Sequence, residues 1–81
     1  MSIRVLFFAS LADVVGGRER TVESAGVSDV ASIFDKFVAE FPELEGHRAS
    51  LLFALNSEFA RPSSPVEDGD EVAFLPPVSG G

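Results

Sequence analysis

The sequence predicts an α+β domain: a mixed sheet of four to five strands with one main helix on one face. Three observations carry that prediction. Short runs rich in β-branched and aromatic residues recur at residues 3–8, 20–24, 51–55, 59–61 and 71–75, separated by turn signals. One longer segment carries an apolar stripe at helical spacing: Val30, Ile33, Phe34, Phe37, Val38 and Phe41. A chain of 81 residues has room for one small domain, which buries about 60 to 65% of its unfolded surface.

The first run is interrupted only by Arg4 and reads as a buried strand. Residues 10–15 read as a helical turn ended by Gly16-Gly17. That glycine pair follows neither the GxGxxG nor the GxxxxGK[ST] pattern, so it reads as a turn needing positive φ and not as a phosphate loop. Thr21, Val22 and Glu23 alternate enough to suggest a second strand. Ser28 reads as the N-cap of the main helix, with Asp29 at the positive end of its dipole. Ser32, Asp35, Lys36 and Glu40 fall on the polar side of that helix, and Pro42 stops it.

Residues 43–50 are polar and read as a loop. His47 has no second histidine or cysteine beside it and reads as a surface residue. After the third strand, Asn56-Ser57-Glu58 reads as a turn into a short edge strand. The edge assignment follows from Pro62-Ser63-Ser64-Pro65, which cannot continue a central strand. Val66 is expected to pin that loop to the core. Asp68-Gly69-Asp70 is a tight-turn signal with too few oxygen ligands for a calcium loop. In the last strand, Val72 and Phe74 point one way and Ala73 and Leu75 the other. A single helix covers a single sheet face. Leu6, Phe8, Ala73 and Leu75 are candidates for the second face, which parity alone does not assign.

Composition narrows the function. There is no cysteine, hence no disulfide framework, thiolate metal site or cysteine nucleophile. The net charge of −7 and the scattered basic residues argue against a nucleic-acid partner and fit steering toward basic protein surfaces. The apolar runs are too short for a signal peptide or a membrane span, so a soluble cytoplasmic protein is expected, with no membrane partner. No Ser-His-Asp set, Cys-His pair or metal-ligand cluster emerges, so the chain is not expected to be catalytic alone.

The exception is the end of the chain. The domain is expected to occupy residues 1–75, followed by an extended tail over residues 76–81. Pro76 and Pro77 fix two φ angles and remove two N–H donors, ending sheet pairing. Residues 76–81 reach roughly 20 Å, enough to enter a partner's buried active site. Gly80 and Gly81 fit a slot that side chains would block. A terminal carboxylate activated by ATP becomes an acyl-adenylate. A sulfur donor can displace AMP to leave a thiocarboxylate, or an amine can displace it to leave an isopeptide; the residues fit both outcomes.

The final stretch, from Asp68-Gly69-Asp70 through Pro76-Pro77-Val78-Ser79-Gly80-Gly81, resembles the small subunit of molybdopterin synthase, the MoaD family of sulfur carriers. Val5-Leu6-Phe7-Phe8-Ala9, Leu11 and Leu55-Asn56 are similar as well, so the resemblance spans the chain. It implies a β-grasp, ubiquitin-like fold. It implies that an E1-like activating enzyme of the MoeB type adenylates Gly81 with ATP, with no permanently bound cofactor. A sulfur donor system would then make the thiocarboxylate. The loaded tail would enter a large subunit of the MoaE type, in a heterotetramer, and give sulfur to cyclic pyranopterin monophosphate. On that resemblance Gly81 and Gly80 carry the chemistry, and Pro76, Pro77, Val78 and Ser79 thread the channel. Phe8 and Leu75 are the expected hydrophobic contacts with partners. The alternatives are a thiamine-thiazole type of sulfur carrier, a ubiquitin-like protein modifier, or an interaction domain whose tail is incidental.

Overall fold

A computed structural model describes residues 1–77. The expectations for Val78, Ser79, Gly80 and Gly81 lie outside the described residues. Strand β1 (Ser2–Phe7) runs antiparallel to β2 (Glu19–Glu23), and a short helix α1 (Ser10–Val15) lies between them in the chain. The main helix α2 (Val30–Glu40) and a 3₁₀ segment (Pro42–Ser50) follow. Then come β3 (Leu52–Leu55), β4 (Glu58–Ala60) and β5 (Glu71–Leu75). The sheet order is β2-β1-β5-β3-β4. β5 pairs parallel with β1 and antiparallel with β3, so the last strand made is the central one. β4 lies at an edge, as the prolines after it require.

Strand parity divides the sheet into two chemically different faces. Ile3, Val5 and Phe7 of β1 and Val72 and Phe74 of β5 are at most 1% exposed. Against them pack Val30, Ile33, Phe34 and Phe37, four members of the predicted helical stripe. Phe74 is the hub of this core. Its ring centroid lies 5.2 Å from Phe34, 5.5 Å from Phe7 and 5.6 Å from Phe53. The tilted and edge-on arrangements favour the ring quadrupoles. Val66 is buried, as expected of a loop anchor.

The helix start differs by one residue from the sequence reading. Asp29, not Ser28, is the N-cap of α2. Its carboxylate accepts the Ser32 N–H at 2.8 Å, and the Ser32 hydroxyl oxygen accepts the Asp29 N–H at 3.2 Å. Ser28 is occupied elsewhere: its carbonyl accepts the Val66 N–H at 3.2 Å. That bond ties the approach to the helix to the loop before β5.

Residues predicted as a polar loop, 43–50, lie instead within the 3₁₀ segment, which packs along α2. Leu44 is fully buried there. Arg48 stacks over the Phe34 ring at 4.9 Å and bonds Asp35 and Glu45. Those bonds hold the Glu45 carboxyl below its ordinary pKa and raise that of the guanidinium. His47 is half-buried.

At the end of β1 the chain makes a mirror-image turn. Ala9 has φ 54° and ψ −128°, and the Leu11 N–H donates to the Phe8 carbonyl at 3.1 Å. This is a type II′ turn with a β-carbon at a glycine position. Relieving such strain is worth about 1–3 kcal/mol, against an entropy cost for glycine of roughly 0.5–1 kcal/mol. Ala9→Gly is therefore expected to stabilise the domain by about 1 kcal/mol, raising Tm by about 4–8 °C. A circular dichroism melt checks this, and an unchanged or lower Tm refutes it.

Candidate docking face and tail base

The register places the open-face side chains in rows across the strands. Glu19 of β2 lies opposite Leu6 of β1, and Leu6 opposite Ala73 of β5. Ala73 in turn faces Ala54 of β3, and Ala54 faces Phe59 of β4. One step toward the end of β5, Leu75 pairs with Leu52, and the Phe8 N–H donates to the Phe74 carbonyl at 3.2 Å, extending the β1 register to set Phe8 beside Leu75. All these positions alternate with the core residues, so their side chains point away from α2.

The result is an apolar surface with no helix over it. Phe59 is 80% exposed, Phe8 41% and Leu52 38%. Leu6, Ala54, Ala73 and Leu75 are half-buried. This is the second face expected from the sequence, with Leu6, Phe8, Ala73 and Leu75 all on it. Leu52, Ala54 and Phe59 are additions the sequence reading missed. One signal for Phe59 was available: a large aromatic between Asn56-Ser57-Glu58 and Arg61-Pro62 has no helical or core partner in its own segment.

A charged row bounds the patch at the other end of β1 and β5. Arg4 bonds Glu71 directly and lies 3.4 Å from Glu19. Both pairs are solvent-accessible and add little stability, and the single guanidinium of Arg4 offsets one of the two carboxylates, Glu71 being the closer.

The tail base leaves from the central strand of the sheet. β5 is bonded on both sides. Its start is also clamped by Asn56, whose amide accepts the Glu71 N–H at 3.0 Å and donates to Asp70 at 3.1 Å. Leu75 and Pro76 are half-buried, and Pro77 is exposed. Val78, Ser79, Gly80 and Gly81 lie outside the described residues. Among the described residues no group of three or more His, Cys, Asp or Glu could hold a metal ion. Nor is any described helix long and apolar enough to cross a membrane.

A five-stranded mixed sheet with one main helix across one face, and its last strand central, defines a β-grasp, ubiquitin-like protein. The chain belongs to the ThiS family, whose model matches residues 5–81. It is 39% identical to the molybdopterin synthase sulfur carrier subunit of Chlamydomonas reinhardtii, with the alignment covering all of both chains. It is 36% identical to the protein of the same name in Arabidopsis thaliana, over the whole of this chain and 84% of that one. Among solved structures it is similar to SAMP1 from Haloferax volcanii, at 33% identity and a TM-score of 0.83, covering all of both chains.

Proposed function

We propose that the chain is a cytoplasmic sulfur carrier for molybdopterin synthesis, working through the carboxylate of Gly81. The observation that carries the reading is the continuity of the open apolar face with the tail base. Phe8, Leu75 and Leu52 form the row nearest the end of β5, and Pro76 follows Leu75 directly. A partner seated on that row is positioned to receive whatever the tail presents. The named relatives support the same activity.

The chemistry follows from the terminal group. A carboxylate oxygen of Gly81 attacks the α-phosphorus of ATP in an activating enzyme of the MoeB type, and pyrophosphate leaves. A sulfide-level donor then attacks the acyl carbon, the bond to AMP breaks, and a thiocarboxylate remains. Inside a large subunit of the MoaE type the sulfur of that soft nucleophile bonds to a carbon of cyclic pyranopterin monophosphate, displacing oxygen. Water then cleaves the acyl–sulfur bond, leaving sulfur on the pterin and a carboxylate on Gly81, and a dithiolene consumes two loaded carriers. Gly80 keeps the tip thin, and Pro76, Pro77, Val78 and Ser79 span the channel. Stiffness at the prolines lowers the entropy lost on docking. The carrier holds no permanent cofactor in this scheme, and the synthase is a heterotetramer.

The test is the intact mass of the carrier after incubation with activating enzyme, ATP and a sulfur donor. Loading raises the mass by the difference between sulfur and oxygen. No rise under conditions that load a carrier of known competence overturns the proposal. Similarity to SAMP1, a small archaeal modifier protein, favours a second reading, in which the same adenylate is passed to protein amines. Isopeptide-linked conjugates detected by mass spectrometry in cells would distinguish it.

A further inference from the structure

Two identical chains of net charge −7 repel one another, so a second copy can approach only where no net charge is presented. One half of the open face meets that condition. On β5, β3 and β4 it consists of Leu75, Ala73, Leu52, Ala54 and Phe59, and the nearest acid on it, Glu71, is held by Arg4. Glu58 has the opposite parity to Phe59 and points to the other side of β4.

The relief of this half is also self-complementary. Phe59 stands out at the edge, and Ala54 and Ala73, its neighbours in the same row, form a shallow depression. A two-fold axis along β3, in the plane between two stacked sheets, maps β4 of one copy onto β5 of the other. Phe59 of each copy then sits over Ala73 of its mate, with Ala54 against Ala54 and Leu52 against Leu52. This is the reciprocal contact that an isologous interface requires.

We infer that the free carrier self-associates face to face through Phe59 and the Ala54–Ala73 depression, masking the surface by which it docks. The contact is small. Three strands spaced about 4.8 Å apart, with five apolar side chains, fall well short of the roughly 800 Å² per partner of a durable complex. The dimer is therefore of the weak, transient class and gives way to a larger interface.

The experiment is a concentration series of ¹H–¹⁵N spectra and sedimentation equilibrium, from about 0.02 to about 1 mM, on the full chain without partners. Expected are a rising weight-average mass and concentration-dependent shifts at Leu52, Ala54, Phe59 and Ala73. Raising salt from about 0.01 to about 0.15 M shortens the Debye length from about 30 to about 8 Å, so association strengthens severalfold. Phe59→Glu abolishes it with Tm retained. A monomer at the highest concentration, shifts confined to α2, weakening by salt, or no effect of Phe59→Glu each overturns the inference. Loading of Gly81 is read separately by mass, so the two proposals fail independently.

Discussion

Deleting Gly81 abolishes loading and leaves Tm unchanged. Among the described residues the buried core runs from Ile3 to Phe74, and Pro76 and Pro77 lie outside it, so removing Gly81 is expected to take away the reacting carboxyl position without touching that core. Shortening also withdraws the terminus by roughly 3.5 Å, and misplacement of a reacting group by about 1 Å can already cost about 100-fold in rate. Adding one alanine after Gly81 tests the same point from the other side. It restores a carboxylate but puts it one residue too far, and loading is again lost. Gly81→Ala keeps the reach and adds one methyl group beside the acyl carbon, so loading slows by about 10- to 100-fold through crowding. Intact-mass kinetics measure all three. Retained loading in the extended chain would assign the acyl chemistry elsewhere.

Phe74→Ala carries the largest stability loss expected in the chain. The ring is fully buried and touches Phe7, Phe34 and Phe53. Truncation removes its transfer free energy and leaves a cavity between three rings, at a cost of about 3–5 kcal/mol. For a domain of this size that is a fall in Tm of about 12–40 °C, enough to unfold much of the population at 37 °C. Phe59→Ala is the control. It removes the same atoms from the same sheet, but from a side chain 80% exposed on the other face. Its effect on stability is expected within about 0.5 kcal/mol. Similar losses for the two variants would refute the division of faces.

That division was legible in the sequence, although parity was left undecided. Arg4 shares its side of β1 with Leu6 and Phe8, and Glu71 shares its side of β5 with Ala73 and Leu75. A charged residue in each set marks it as the open one. β5 was predicted to the residue because Gly69 and Pro76 bracket it. Phe59 was harder. β4 has three residues, too few for a period of two to declare itself, and its alignment opposite Ala54 depends on the left-handed Asn56-Ser57 turn. The 3₁₀ segment was hidden for a related reason. Its single fully buried residue, Leu44, shows no repeat, and Arg48 is tied to Asp35 only once the chain has folded. The reading of the tail rests on composition and order alone, and Val78, Ser79, Gly80 and Gly81 lie outside the described residues.

The central place of β5 also bears on how the protein is made. A ribosome delivers β1 and β2 first and β5 last, yet β5 is the only strand joining the β2-β1 pair to the β3-β4 pair. Arg4 and Glu71, which meet across that seam, are separated by 67 positions. A chain that stops short of the seam has two strand pairs with no strand hydrogen-bonded between them, held only through the rings of α2, and such long-range closure is slow. Folding therefore acts as a proofreading step for synthesis: incomplete products remain open to proteases, and the folded pool is drawn from chains translated through the strand that bears the tail.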